Sequence, residues 1–150
     1  MSQAYPNDRG SLRTWLIDTA LFATLGPASQ KSGLRDWLDA HREPVFLSTA
    51  SLVEIEAAIG RAPTSQRERA CALRDWLDRL VTIFGDRIHP VDAAVAVRAG
   101  KLLPSCNQGY ARYRFHDAVL VATAQVYGHG LLSKRDAVFG AWTKVALVSP

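Results

Sequence analysis

Four acidic residues, Asp18, Glu54, Asp117 and Asp136, each stand just past or beside an apolar run that reads as a strand or the opening of a helix. No other catalytic constellation competes with them, because the sequence has no phosphate-cradling glycine loop, nucleophile elbow or dinucleotide fingerprint. Such acids suit a divalent-metal site. In an α/β fold the carboxyl ends of parallel strands converge on one crevice, where acids about a hundred residues apart can meet. Clustered carboxylates repel and stay ionised only when a cation or several donors neutralise them. Replacing Asp18 by Asn is therefore expected to raise the melting temperature of the metal-free protein.

Each acid also has an ordinary reading. Asp18 ends the first apolar run, yet Asp-Thr is a common way to start a helix. Glu54 shares a helix face with Ala50, Ala57 and Ala58, opposite Leu52, Ile55 and Ile59; it sits in a tight cleft or is a solvated glutamate, with Glu56 as its rival. Asp117 lies on the line of Leu120, Val121 and Ala124, so it leans inward, or it merely answers the helix dipole. Asp136 has Lys134 and Arg135 beside it and fits a surface salt-bridge cluster equally well. His116, next to Asp117, is the one histidine near a candidate site, a general base or a helix-end residue. Arg112, Tyr113 and Arg114 interleave cations with an aromatic, which suits phosphate contact and base stacking or a solvated loop.

The elements that must position these groups follow from periodicity. Trp15-Leu16-Ile17 before Asp18-Thr19, and Val45-Phe46-Leu47 before Ser48-Thr49, both read as a buried strand followed by a helix. Leu34, Trp37, Leu38 and His41 recur at helical spacing, and Thr49 to Gly60 forms a helix closed by glycine. Ser65 and Glu68 predict a capping box for a long helix with Leu73, Leu77, Leu80 and Phe84 on one stripe. Arg87-Ile88 leads through Pro90 into a helix over Val91 to Leu103, with Val91, Val95, Ala99 and Leu102 on one face, and Pro104 to Tyr110 is a loop. Phe115 to Tyr127 is apolar nearly all round, as in a helix packed inside, and Gly128 and Gly130 separate it from a short strand at Leu131-Leu132. A last strand spans Val145 to Val148. Alternating strands and helices imply an α/β fold, a small parallel sheet of about four to five strands with helices on both faces.

At 150 residues the chain suits one domain, read here over 15–150 after a polar arm from Met1 to Thr14. A hydrophobic fraction of 48% with 21% charged residues is that of a globular protein, and no apolar run approaches the ~18 residues of a membrane span. Cys71 and Cys106 lack metal-binding or disulfide spacing, which fits a reducing cytoplasm. The net charge of +4 favours polyanionic partners, though an excess this small is also common on proteins that bind no nucleic acid.

Leu-Ile-Asp-Thr at Leu16 to Thr19, Ser-Leu-Val-Glu-Ile at Ser51 to Ile55, and His-Asp-Ala-Val-Leu-Val-Ala-Thr-Ala at His116 to Ala124 together resemble the PIN-domain family, and Leu-Leu-Ser-Lys-Arg-Asp-Ala-Val-Phe at Leu131 to Phe139 adds to this. Within the family the chain looks most like VapC-type toxins of toxin–antitoxin pairs. The resemblance implies a Mg- or Mn-dependent endoribonuclease, inhibited by a cognate antitoxin and usually dimeric. By position, Asp18, Glu54 and Asp117 match the family's acidic site, with Asp136 as fourth candidate and Arg112, Arg114, Lys134 and Arg135 available to hold RNA. Two departures stand out. Ala20 follows Asp-Thr where the family usually has a polar residue, and gapless alignment through Phe139 puts Arg135 where the family often has Asn or Asp, with Asp136 one residue late. Those departures motivate an alternative, a PIN scaffold that binds RNA or a protein without cutting. A receiver-like phosphorylation domain is disfavoured, since the first strand offers a single acid.

Overall fold

A computed structural model describes residues 14–27, 33–105, 114–135, 139 and 147–148. The strands are β1 (Trp15–Ile17), β2 (Val45–Ser48), β3 (Ile88–His89), β4 (Gly130–Leu132) and β5 (Leu147–Val148). They form one five-stranded sheet in the order β3-β2-β1-β4-β5, and every neighbouring pair is parallel. The α/β architecture with a small parallel sheet agrees with the sequence reading.

Both faces of the sheet are covered, so the strands are apolar throughout instead of alternating. Trp15, Ile17, Val45, Leu47 and Leu132 meet α1 (Thr19–Phe22), α2 (Gly33–Ala40), α3 (Thr49–Gly60) and α4 (Arg67–Phe84) on one face. Leu16, Phe46 and Leu131 meet α5 (Ala93–Leu102) and α6 (Arg114–Tyr127) on the other. From β1 the chain moves outward through β2 to β3, then returns across β1 to add β4. That reversal leaves a crevice at the carboxyl ends of β1 and β4, the topological switch where α/β folds place their sites. Gly130 pairs with Trp15 in register, and a Cβ there would lie 2.4 Å from the Trp15 ring, so the strand can approach only as glycine. Gly128, at φ 75°, takes the left-handed turn that ends α6.

Local chemistry departs from expectation in three places. Ser65 does not cap α4: it lies inside a 3-10 turn, Thr64–Gln66, that precedes the helix, and helical backbone denies it the extended conformation a cap requires. Val91 is outside α5 and 40% exposed, because Asp92 caps that helix by accepting from Val95 N–H at 2.9 Å. Phe115 is 71% exposed, so the first turn of α6 is not enclosed all round. Of the expected arm from Met1 to Thr14 only Thr14 is described, and it is joined to the domain, its carbonyl accepting from Gly130 N–H at 3.0 Å; the rest of the arm, most of the 104–110 loop and residues 145–146 lie outside the described residues.

Candidate acidic site at the first turn of the sixth helix

Asp18 follows β1 directly, and its backbone N–H donates to the Leu132 carbonyl at 2.9 Å, which fixes it at the β1–β4 crevice. It holds the N-cap position of the four-residue α1, but its carboxylate makes no capping bond. Oδ2 instead accepts from Ser133 Oγ at 2.8 Å and from Arg135 Nε at 3.0 Å, while Oδ1 accepts from Arg135 Nη2 at 3.1 Å. Asp117 leans inward from the first turn of α6, and its Oδ1 accepts from the same Nη2 at 2.8 Å. The two aspartates thus meet around one guanidinium nitrogen. Asp18 is 0% exposed and Asp117 1%, too buried for either to be a solvated helix-start residue.

Two buried negative charges survive together only with a counter-charge. Burial pushes the Asp117 carboxyl above its ordinary range, and the Arg135 and His116 charges pull it only part of the way back. Burial also works against the charge on Arg135, but the Asp18 and Asp117 carboxylates more than offset this and raise its pKa. One cation therefore stabilises the pair without fully neutralising it. Ser133 fastens the arrangement, donating to Asp18 and accepting the Arg135 backbone N–H at 3.0 Å.

Glu54 enters a different contact. Its Oε2 lies 2.7 Å from His116 Nε2, and Thr19 Oγ1 lies 3.0 Å from the same nitrogen while donating to Ser51 Oγ at 2.7 Å. Both contacts to His116 call for the proton on Nε2, since a carboxylate only accepts and the Thr19 hydrogen is already committed. Glu56 takes no part and pairs with Arg74 on the surface. Among the described residues, no three of His, Cys, Asp and Glu converge closely enough to share an ion. The structure thus unites Asp18 with Asp117 and ties Glu54 to His116. Asp136, Arg112 and the Arg114 side chain lie outside the described residues, and Lys134 is exposed. Arg135, assigned from sequence to RNA contact, points into the acidic pair. Ser133 and Thr19 were not singled out from sequence, although each is the first or second polar residue after a buried strand, a position that opens onto the crevice.

The sequence pattern of the PIN domain matches residues 16–143. The chain belongs to the PIN-domain family. A relative of this PIN protein, the plasmid stability protein StbB of Pseudomonas syringae pv. tomato, is 25% identical over 128 residues, covering 84% of this chain and 91% of that protein. FitAcB from Neisseria gonorrhoeae shares the fold with a TM-score of 0.68 at 22% identity, over 89% of this PIN chain and 95% of that one. VapBC-5 from Mycobacterium tuberculosis, of the VapBC family of toxin–antitoxin systems, superposes with a TM-score of 0.55 at 19% identity, over 91% and 96% of the two chains.

Proposed function

We propose that this PIN-domain protein is a divalent-metal-dependent endoribonuclease, the toxin of a toxin–antitoxin pair. The observation that carries the reading is the pair of buried carboxylates, Asp18 and Asp117, facing each other at the β1–β4 crevice with one positive charge between them. Their donor set fits Mg or Mn: these hard ions prefer oxygen, and Mg is commonly held by one or two carboxylates together with waters and substrate phosphate oxygens. Asp18 and Asp117 would hold the ion, which when bound would stabilise charge developing on a phosphodiester. Ser133 orients the Asp18 carboxylate by its hydrogen bond. His116 keeps its Nε2 proton against Glu54, forming a couple able to pass a proton at the edge of the site. Exposed Lys134, beside Arg135, adds positive charge where an acidic pocket alone would repel RNA.

The toxin assignment rests on the kinship with a plasmid stability protein and on the fold shared with VapBC and FitAcB chains. A cognate antitoxin, a homodimeric state and a cytoplasmic setting go with it; among the described residues no helix is long and apolar enough to cross a membrane. The non-cleaving alternative draws on the Arg135 guanidinium seated between the acids.

Purified protein incubated with single-stranded RNA in Mn, in Mg and in EDTA separates the two readings. Cleavage in either metal and none in EDTA is expected. Asp117→Asn should lose at least ~100-fold, since even changes to groups around metal ligands cost ~10 to 100-fold. RNA binding without cleavage in either metal would favour the scaffold reading.

A further inference from the structure

Resting on that metal assignment, we infer that Arg135 is the lock of the metal-free site, its guanidinium and a divalent cation taking the Asp18 and Asp117 oxygens in turn and never together. Nη2 is bonded to Oδ1 of both aspartates, and Nε to the second oxygen of Asp18. A divalent cation held by the two acids would draw on the same carboxylate oxygens that now accept from the guanidinium, since hard cations take oxygen ligands. The guanidinium and such a cation would then compete for the same lone pairs, and two positive charges side by side would repel in a pocket shielded from water.

Burial shows which side gives way. The Asp18 and Asp117 side chains are 1% and 2% exposed, whereas that of Arg135 is 27% exposed. The guanidinium can therefore swing toward solvent while the acids stay in place. Two contacts hold the closed position: Ser133 Oγ accepts the Arg135 backbone N–H, and Cζ rests 5.0 Å from the centroid of the buried Phe139 ring. A phosphodiester is the chemical group suited to draw the fork away, because guanidinium pairs with phosphate oxygens as readily as with carboxylates. RNA arriving at the crevice would then open the seat that the ion fills, coupling metal loading to substrate.

Titration calorimetry of Mn into the full-length wild type, Arg135→Gln and Arg135→Lys without RNA, with melting curves of each, tests the lock. A binding-competent state populated at ~1 to 10% weakens apparent affinity by ~10 to 100-fold, so Arg135→Gln should bind Mn at least ~10-fold tighter than wild type. Arg135→Lys, which keeps the charge but loses the fork, should fall between them. In EDTA the Gln variant should melt below wild type, and Mn should raise its melting temperature more. If Arg135→Gln does not fold, Arg135→Lys carries the same comparison. Wild type and folded variants binding Mn equally would overturn the lock and leave the metal site standing. If none of the proteins bound Mn, lock and metal assignment would fall together.

Discussion

The two ends of α6 carry polar clusters of opposite kind. At its first turn, Asp117 joins Asp18 and Arg135 in a network of acid–guanidinium contacts largely removed from water. At its last turn, Tyr127 stacks on His89 at 3.9 Å between ring centroids, and His89 and His129 both stack on Phe46. The His89 and His129 Nε2 atoms lie 2.7 Å apart, so one carries a hydrogen and the other accepts it, while His129 Nδ1 meets Thr14 Oγ1 at 2.7 Å. Burial pushes His89 down, and burial together with the neighbouring His89 pushes His129 down to about 4. The same desolvation acts at both ends. At the first turn a built-in counter-charge opposes it and pulls Asp117 part of the way back; at the last turn, where the neighbours are aromatic rings and a second imidazole, both histidines are pushed toward the neutral form.

The strongest way to break this comparison is to remove one partner of the charged end. Asp18→Asn leaves Arg135 with one carboxylate instead of two, and loss of one partner from a buried ion pair costs ~3 to 5 kcal/mol. Asp117 remains to hold the guanidinium, so about 3 kcal/mol is expected, a fall of roughly 6 to 12 °C in the melting temperature measured in EDTA. This reverses the expectation drawn from repelling acids. A rise in melting temperature would mean that repulsion between the two acids outweighs their attraction to Arg135.

The histidine end predicts a sensitivity to acid. His129 titrates at about 4 in the native state but near 6.5 when unfolded. Between those values the unfolded chain binds a proton that the native state refuses, so the stability His129 contributes is complete above pH 6.5 and is lost as the pH falls toward 4. Melting curves at pH 7 and pH 5 should show a drop for wild type and a smaller one for His129→Gln, whatever the variant's starting stability. Equal slopes would remove His129 from the acid response.

Gly130→Ala sharpens the geometry rather than the charge. The added carbon meets the Trp15 ring, which is also tied to Glu43 through its indole N–H, and overpacking of this sort costs ~1 to 3 kcal/mol in urea unfolding. The smallest expected effect is removal of residues 1–13, whose polar sequence offers no periodic apolar face; the melting temperature should stay within error, provided Thr14 and its bond to His129 are kept.

Much of this was legible in sequence because it depends on local pattern. Buried strands followed by helix starts placed Asp18 and Ser48 at strand ends, and the helical line through Leu120 and Ala124 turned Asp117 inward. Arg135 was not legible, since its direction is set by the turn after β4, where the Ser133 hydroxyl takes its N–H, and no periodicity reports a turn of that kind. The pairing of His89 with His129 escaped for a related reason: it depends on where β3 and β4 lie across the sheet, a long-range fact that neither histidine's neighbours in the sequence encode. The alanine face of Glu54 is legible in sequence, but its contact with His116 is not, because it depends on how α3 packs against α6.

The central position of β1 has a consequence for how the protein is made. The neighbour that completes the carboxyl end of β1, β4, and the residues that grip Asp18, Ser133 and Arg135, come more than a hundred residues after it in the chain. Non-local pairing of this kind forms late, because the intervening chain must be closed before the contact stabilises it. A nascent chain that has not yet delivered Asp117 and β4 holds Asp18 alone, without the second carboxylate. On this topology a partly synthesised chain has no assembled acidic pair, and the crevice takes shape only once β4, Ser133 and Arg135 have been made.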